Sequence, residues 1–448
     1  MAINKEIVAL THWTEMLDFV KSRGRTFNGV NWATVLSKLG KSSPKEIQQM
    51  KNDSRFPMLV GLVAKNMVSK PLSEFGDGAR HVANVVHALA KLKHVPRTKP
   101  SLWRAINDQS KWLVSEAKPQ EVSSVAWSFA RLNVKSSDGF FQEIERQSSS
   151  LVAEGVPRTI ANTAWAAAKL NHNSPKLFRE IDAHAAAIVA SGKPQEISNT
   201  AWAAATLGHS SPALFKEIEM RSSFLVTEGK PQEIANTAWA AARLSHPSPL
   251  LFGEIEKRPS CIVKSAFAVD FSHTAWACGK LQYDAPAFLA AVDASSARLI
   301  ESGKIHEIAN VACAFAEIGH RPTKLFDLLE KRADGLVELA NEQDICNVSW
   351  SLVTLGLASE KEALLQALWK RAREADPSKL RTEELVQLVQ VEVHARASGV
   401  KLPPAPPDLK KMMIRATTVL TNASSRSEDE YSALLAEAGF KHEREVSG

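Results

Sequence analysis

Pro231–Leu244 reads PQEIANTAWAAARL, and near copies stand at Pro119–Leu132 (PQEVSSVAWSFARL), Pro157–Leu170 (PRTIANTAWAAAKL) and Pro194–Leu207 (PQEISNTAWAAATL). Their tryptophans, Trp127, Trp165, Trp202 and Trp239, set a register that runs on through Trp276, Cys313 and Trp350, one step of 38 residues followed by five of 37. Upstream, His87 of NVVHALAKL and Trp32 of FNGVNWATVLSKL take the same slot; downstream, ELVQLVQVEV is a worn copy centred on Gln390. A fixed period of this length marks an array in which each repeat is one supersecondary unit.

Each repeat reads as a helical hairpin. The first helix opens on proline, whose missing N–H does no harm at a first helical position, followed by Gln and Glu near the positive end of the helix dipole. Its body is rich in alanine, the best helix former. It stops near Leu170, Leu207 or Leu244, before the turn signals NHNSP, GHSSP and SHPSP. The second helix is expected from Pro175, with Phe178, Ile181, Ala185 and Ile188 at helical spacing, and with Gly192 as its C-terminal cap. A phenylalanine thirteen residues after the slot (Phe140, Phe178, Phe215, Phe252, Phe326) keeps that helix in register. A pair this short cannot bury its own apolar face, so stacking on neighbours must supply the missing contacts. The expected fold is therefore all-α: an α-solenoid, a right-handed superhelix of about nine to ten helical-hairpin repeats of ~37 residues with the first helices lining the concave face. Expected boundaries are an N-terminal helix or cap (1–25), degenerate repeats (26–118), regular repeats (119–356), a degenerate repeat or cap (357–400), a Pro-rich linker (401–407) and an extension (408–448).

At 100° per residue, Ile234, Thr237, Ala241 and Leu244 gather on one side of the first helix. Gln232, Asn236, Trp239 and Arg243 fall within about 60° of one another on the other. Repetition makes ladders of these positions. Three residues before the slot stand Asn84, Asn162, Asn199, Asn236, Asn310 and Asn347, with Ser124 and His273 as exceptions; four residues after it stand Lys91, Arg131, Lys169, Arg243 and Lys280, broken by Thr206, Glu317 and Thr354. Asparagine competes with its own backbone inside a helix, so six copies at one slot need a reason. Contact with base edges is one, and a hydrogen-bond ladder between repeats is another. The cations suit phosphates, or solubility alone. Stacking on bases is open to the slot tryptophans, but Cys313 in the same slot favours packing between repeats. Seven residues after the slot come His94, His172, His209, His246 and His320, with Tyr283 once. At the turn after the first helix they suit capping and turn packing better than a metal, whose ligands must converge on one point.

Bulk properties set wide bounds. The chain has 448 residues, 44% hydrophobic and 23% charged, with a net charge of +6 that suits a polyanionic partner without requiring one. The last 48 residues carry seven basic and seven acidic side chains, so the excess lies on the repeats. Cys261, Cys278, Cys313 and Cys346 show no metal-ligand spacing, and a reducing compartment is expected. No apolar run approaches the roughly 18 residues a membrane helix needs. The first 30 residues lack a signal core or a Ser/Arg-rich presequence, so the expectation is either a protein that is not imported or a chain that begins after its targeting segment. None of the motifs G-x-S-x-G, H-E-x-x-H, G-x-x-x-x-G-K-[ST] or G-x-G-x-x-G occurs, and no enzyme, cofactor or metal is expected.

P-Q-E-I-A-N-T-A-W-A-A-A-R-L resembles the helical hairpins of octotricopeptide and heptatricopeptide repeat proteins, a group that shares its organisation with FAST-kinase-like and RAP-domain proteins of organelles. Thr26–Leu39 (TFNGVNWATVLSKL) is similar to the entry motif of the same proteins, and the resemblance covers roughly residues 26–395. It implies an organellar RNA-binding protein, mitochondrial or chloroplast, acting in RNA processing, stability, ribosome assembly or translation. The chain shows no RAP domain. Its tail, DLKKMMIRATTVLTNASSRSEDEYSALLAEAGF from Asp408, resembles the end of plant- and fungal-type O-methyltransferases, except that Ser425 precedes Arg426 where that family has Glu. The cofactor-binding strand and catalytic His of that family would lie where this chain has repeats, and methyl transfer is not expected.

The expected function is sequence-selective binding of single-stranded RNA, mRNA or rRNA, one nucleotide per repeat, with the asparagines facing bases and Lys91, Arg131, Lys169, Arg243 and Lys280 holding phosphates. No membrane and no small-molecule substrate is expected. The alternatives are an armadillo-like scaffold for an extended peptide, in which Asn and Trp ladders clamp the peptide backbone, and an architectural subunit of an organellar ribosome.

Overall fold

The computed structural model describes residues 2–76, 78–93 and 101–423; among them every regular element is a helix, and none is long and apolar enough to cross a membrane. The chain divides into two units, Met1–Arg221 and Ser222–Gly448. In the first unit the helices that carry the repeat motif are α1 (Gly29–Leu39), α2 (Ala79–Lys91), α3 (Pro119–Arg131), α4 (Pro157–Leu170) and α5 (Pro194–Leu207). In the second they are α6 (Pro231–Arg243), α7 (Ala268–Lys280), α8 (Ile305–Ile318), α9 (Glu342–Thr354) and α10 (Thr382–Ala397). Within each unit, each packs against the next, giving the helical-repeat array of an α-solenoid.

Both ends of these helices are locally specified. The acid at the third helical position reaches back to accept the N-cap amide: Glu121 from Lys118 (3.0 Å), Glu196 from Lys193 (3.0 Å), Glu233 from Lys230 (3.0 Å), Asp270 from Phe267 (2.9 Å) and Glu307 from Lys304 (2.9 Å). This is half of a capping box, and it accounts for the P-Q-E signature. At the other end Asn171, Gly208, Ser245, Gln282 and Gly319 take left-handed φ values of 59°, 72°, 53°, 54° and 77°. The next amide then bonds back to the carbonyl five residues earlier: His172 to Ala167, His209 to Ala204, His246 to Ala241, Tyr283 to Cys278 and His320 to Phe315, all at 2.8–2.9 Å. That closure is a Schellman motif. The recurring histidines are its final residues, and their rings pack on phenylalanines: His172 on Phe141 at 4.3 Å and His209 on Phe178 at 4.7 Å between centroids. His94 lies outside the described residues.

The second half of the repeat is not one helix but two. Pro175–Ala183 and Ala185–Ser191 are separated at His184 (φ −104°, ψ 14°), and Asp138–Arg146 and Ser148–Ala153 at Gln147 (φ −105°, ψ 15°). In the second unit Pro286–Ala294 and Ser296–Ser302 are separated at Ser295. The break is a single residue, so the spacing of Phe178, Ile181, Ala185 and Ile188 passes through it unaltered. Side chains near it bond the preceding turn, His184 Nδ1 to the Glu180 carbonyl (2.9 Å) and Ser148 Oγ to that of Glu145 (2.9 Å), and compete with helix continuation. Gly192 caps Ala185–Ser191 at its C-terminus, as expected, but without left-handed backbone. Its backbone is extended (φ −74°), and a Cβ there would sit 2.6 Å from the Ile188 carbonyl oxygen, so glycine serves close approach.

Neighbouring repeats also cap one another. In the first unit Glu145 accepts the amides of Lys176 (2.5 Å) and Leu177 (3.2 Å), and Asp182 that of Leu214 (2.9 Å). In the second, Glu256 accepts those of Ala287 (2.7 Å) and Phe288 (3.0 Å). Asp293 takes those of Thr323 (2.8 Å), Lys324 (3.1 Å) and Leu325 (2.9 Å), together with the Thr323 hydroxyl (2.8 Å). Each acid thus closes the N-terminus of a helix about 31 residues downstream, where amide hydrogens lack partners. The layer of phenylalanines beneath is fully buried: Phe129, Phe140, Phe178 and Phe215 in the first unit, Phe252, Phe288, Phe315 and Phe326 in the second. The start of the tail joins the second unit. Trp369 Nε1 donates to the Pro403 carbonyl (2.7 Å), and Leu409 and Met413 of the helix Pro407–Ala423 are buried in that unit's core. The methyltransferase-like stretch beyond residue 423 lies outside the described residues.

Candidate functional site

Burial sorts the first helices sharply. On α4 everything is buried except Pro157, Arg158, Asn162, Trp165 and Lys169; on α2, everything except Arg80, Asn84, His87 and Lys91. On α7 the open positions are Val269, His273, Trp276 and Lys280. Steps of four, three and four residues keep such positions in one line along a helix. On these helices the repeat therefore leaves a single stripe open (seven residues before the slot, three before, the slot itself, and four after), whereas on α1 Gly29, Trp32 and Leu36 at the last three of these positions are buried. The helical projection of Gln232, Asn236, Trp239 and Arg243 onto one face, with Ile234, Thr237 and Ala241 buried behind it, is what the structure contains.

The five cations sought in the sequence are all exposed: Lys91, Arg131 and Lys169 in the first unit, Arg243 and Lys280 in the second. Among the described residues none of the five is in an ion pair. The asparagines divide. Asn84 is exposed, and Asn162, Asn199 and Asn236 are half-buried with no side-chain hydrogen bond among the described residues. Asn310 donates through Nδ2 to Ser272 Oγ (3.4 Å), and the buried Asn347 accepts through Oδ1 from Gln387 Nε2 (3.0 Å). At these two positions the ladder is a hydrogen-bond ladder between repeats.

Slot residues fill the seams between adjacent first helices. The His87 ring lies 5.1 Å from Trp127 and the Trp239 ring 5.9 Å from His273, while Trp350 Nε1 donates to Gln390 Oε1 at 2.6 Å. Trp127, Trp165, Trp202, Trp239, Trp276 and Trp350 are half-buried, so their outer edges stay open along the stripe, whereas Trp32 on α1 is fully buried. Burial depresses the pKa of His87, and Lys91 adds to the effect; burial depresses that of His273 as well, so neither adds charge to the stripe at neutral pH. Glu317, in the cation position of α8, has its carboxyl pushed up by burial, partly offset by the Lys280 ammonium. Burial also pushes the Cys313 thiol up to about 12, which leaves it no nucleophile at neutral pH.

Two sets of cations escaped the sequence reading. Arg80 and Arg158 stand seven residues before the slot, and Lys118, Lys193, Lys230 and Lys304 are exposed at the N-caps. The signal for the lysines was the recurring Lys just ahead of the copied fourteen residues; the arginines were hidden among glutamines at the same position.

The model of the RNA-editing substrate-binding complex 6 protein family (RESC6) matches residues 58–286, just over half of the chain. The chain belongs to the RESC6 family. The RESC6 match takes in α2 to α7 and ends at Pro286, the first residue of the helix that follows α7. No curated protein matches the chain. Among solved structures, a chain from a homology model of the full-length AP-3 complex in an intermediate open conformation aligns over 96% of this chain and 90% of its own, at 11% identity and a TM-score of 0.33; a likeness that low carries no argument.

Proposed function

We propose that the chain is a binding subunit, without catalysis of its own, that holds single-stranded RNA along the first-helix stripe of each unit. One observation carries this reading: on three of the first helices, α2, α4 and α6, the solvent-open residues include, in one line, an asparagine amide and a cation that is in no ion pair among the described residues. Amides can address base edges while cations meet phosphates. The RESC6 family name supports RNA as ligand and a multiprotein complex as setting. The octotricopeptide-like repeat pattern supports an organelle and a role in RNA processing. Fluorescence anisotropy on single-stranded oligonucleotides tests it. Binding should weaken steeply with salt, and replacing Lys169, Arg243 and Lys280 by Ala should weaken it for all sequences alike. Affinity indifferent to both would end the proposal.

A second reading, an armadillo-like clamp on an extended peptide, is favoured by the shared face of Asn162 with Trp165 and of Asn236 with Trp239. Nuclease treatment separates the two, because a peptide cargo survives it and an RNA cargo does not.

A further inference from the structure

In the second unit the stripe changes character between α7 and α8. Four residues after the slot, α6 and α7 present the exposed Arg243 and Lys280, whereas α8 and α9 present Glu317 and Thr354. Asn236 makes no side-chain hydrogen bond among the described residues; Asn310 and Asn347 are engaged by Ser272 and Gln387, and Trp350 by Gln390. The slot itself changes from Trp276 to Cys313.

A second departure accompanies the acid. Three residues after the slot, α6 and α8 carry Ala242 and Ala316, as α4 and α5 carry Ala168 and Ala205; α7 alone among these has glycine, Gly279. Glycine inside a helix is unfavourable relative to alanine, so it needs a local reason. A Cβ at 279 would collide with the Glu317 carboxylate, whose Oε2 is buried without a hydrogen-bond partner. Alanine to glycine in one repeat and cation to acid in the next therefore belong together: the first makes room for the second to fold down against α7.

We propose that the Gly279–Glu317 pair ends the RNA track of the second unit, so that RNA is held along α6 and α7 and leaves the stripe before α8. This rests on the RNA-binding reading of the stripe. A phosphate carried one layer further meets a carboxylate where the preceding layers offer Arg243 and Lys280. A base carried further meets amides already committed to neighbouring repeats. Layers α8 to α10 then support the array and do not read the ligand.

The test uses the full chain, a mixed-sequence single-stranded oligonucleotide and anisotropy titrations across a salt series. Glu317→Lys should tighten binding several-fold at low salt and steepen the log–log salt slope by about 0.7, the increment for one further phosphate on a single strand. Glu317→Thr, which copies Thr206 and Thr354, guards against misfolding and should tighten binding modestly with no change of slope. Lys280→Ala should weaken binding and flatten the slope. Asn236→Ala should alter preference between oligonucleotides, and Asn347→Ala should not. If both Glu317 variants bind as the parent does while Lys280→Ala weakens binding, Glu317 ends nothing. A base preference altered as much by Asn347→Ala as by Asn236→Ala would show the track running on. A parent chain with no salt-dependent affinity would sink the RNA reading itself, a result distinct from either.

Discussion

Lys169 and Asn162 lie two turns apart on the open stripe of α4, yet they ask different things of a ligand. An ammonium meets any phosphate, so Lys169→Ala should weaken binding about equally across oligonucleotides of different sequence. A primary amide offers a donor and an acceptor together, so Asn162→Ala should change the ranking of those oligonucleotides more than the mean affinity. Competition titrations with homopolymers distinguish the two outcomes. Trp202 belongs to a third kind of position. Its ring is half-buried in α5, and Trp202→Ala should lower the unfolding free energy by about 2 kcal/mol, whereas Lys169→Ala should stay within about 0.5 kcal/mol of the parent. Urea unfolding followed by circular dichroism measures both. The sequence exposed the slot and the face but not the state of each side chain. Asn236 and Asn347 occupy the same position of the repeat, and only the neighbour in the next layer leaves one open and ties up the other.

For single elements, the ends are where stability can be moved. Ser245 and Gln282 adopt the left-handed backbone that Gly208 and Gly319 adopt in sister helices, a conformation that costs a side chain about 1–2 kcal/mol. Ser245→Gly should therefore raise stability by about 0.5–1 kcal/mol, read as a shift of the urea midpoint. Asp293 is a helix cap supplied by the preceding repeat. Burial alone would raise its carboxyl pKa, but the Thr323 amide and hydroxyl and the Leu325 and Lys324 amides hold it below the ordinary value. With a folded pKa below the unfolded one, its stabilisation is complete above the unfolded value near 3.9 and disappears as pH falls through the folded value. Asp293→Asn should cost about 1–2 kcal/mol at pH 7 and progressively less below pH 4, which thermal melts across that range would show. The capping acids of the second helices, such as Glu145, Asp182, Glu256 and Asp293, were not singled out in the sequence. Nothing local marks them, because each cap joins residues about 31 apart across a layer.

For the molecule as a whole, the cations matter through their number. If the five exposed residues of the cation ladder each neutralise one phosphate, the logarithm of affinity should fall against the logarithm of salt with a slope on the order of −3 to −4. A slope near zero would mean that the stripe's charge serves solubility. The division into two units was not legible, since the 37-residue period runs through residue 221 without interruption. The break within the second half of repeats such as those at His184, Gln147 and Ser295 was equally silent, because one kinked residue leaves the apolar spacing intact.

The sequence by itself determined the repeat, the helical fold, the split of each first helix into a sealed and an open face, and the chemistry offered on the open one. Those follow from spacings of three to seven residues, which a regular helix converts directly into direction. The tertiary structure alone decided which asparagines remain available, that Gly279 and Glu317 belong together, and which acid closes which helix. Each of these depends on the offset between stacked layers, a distance that no local spacing encodes.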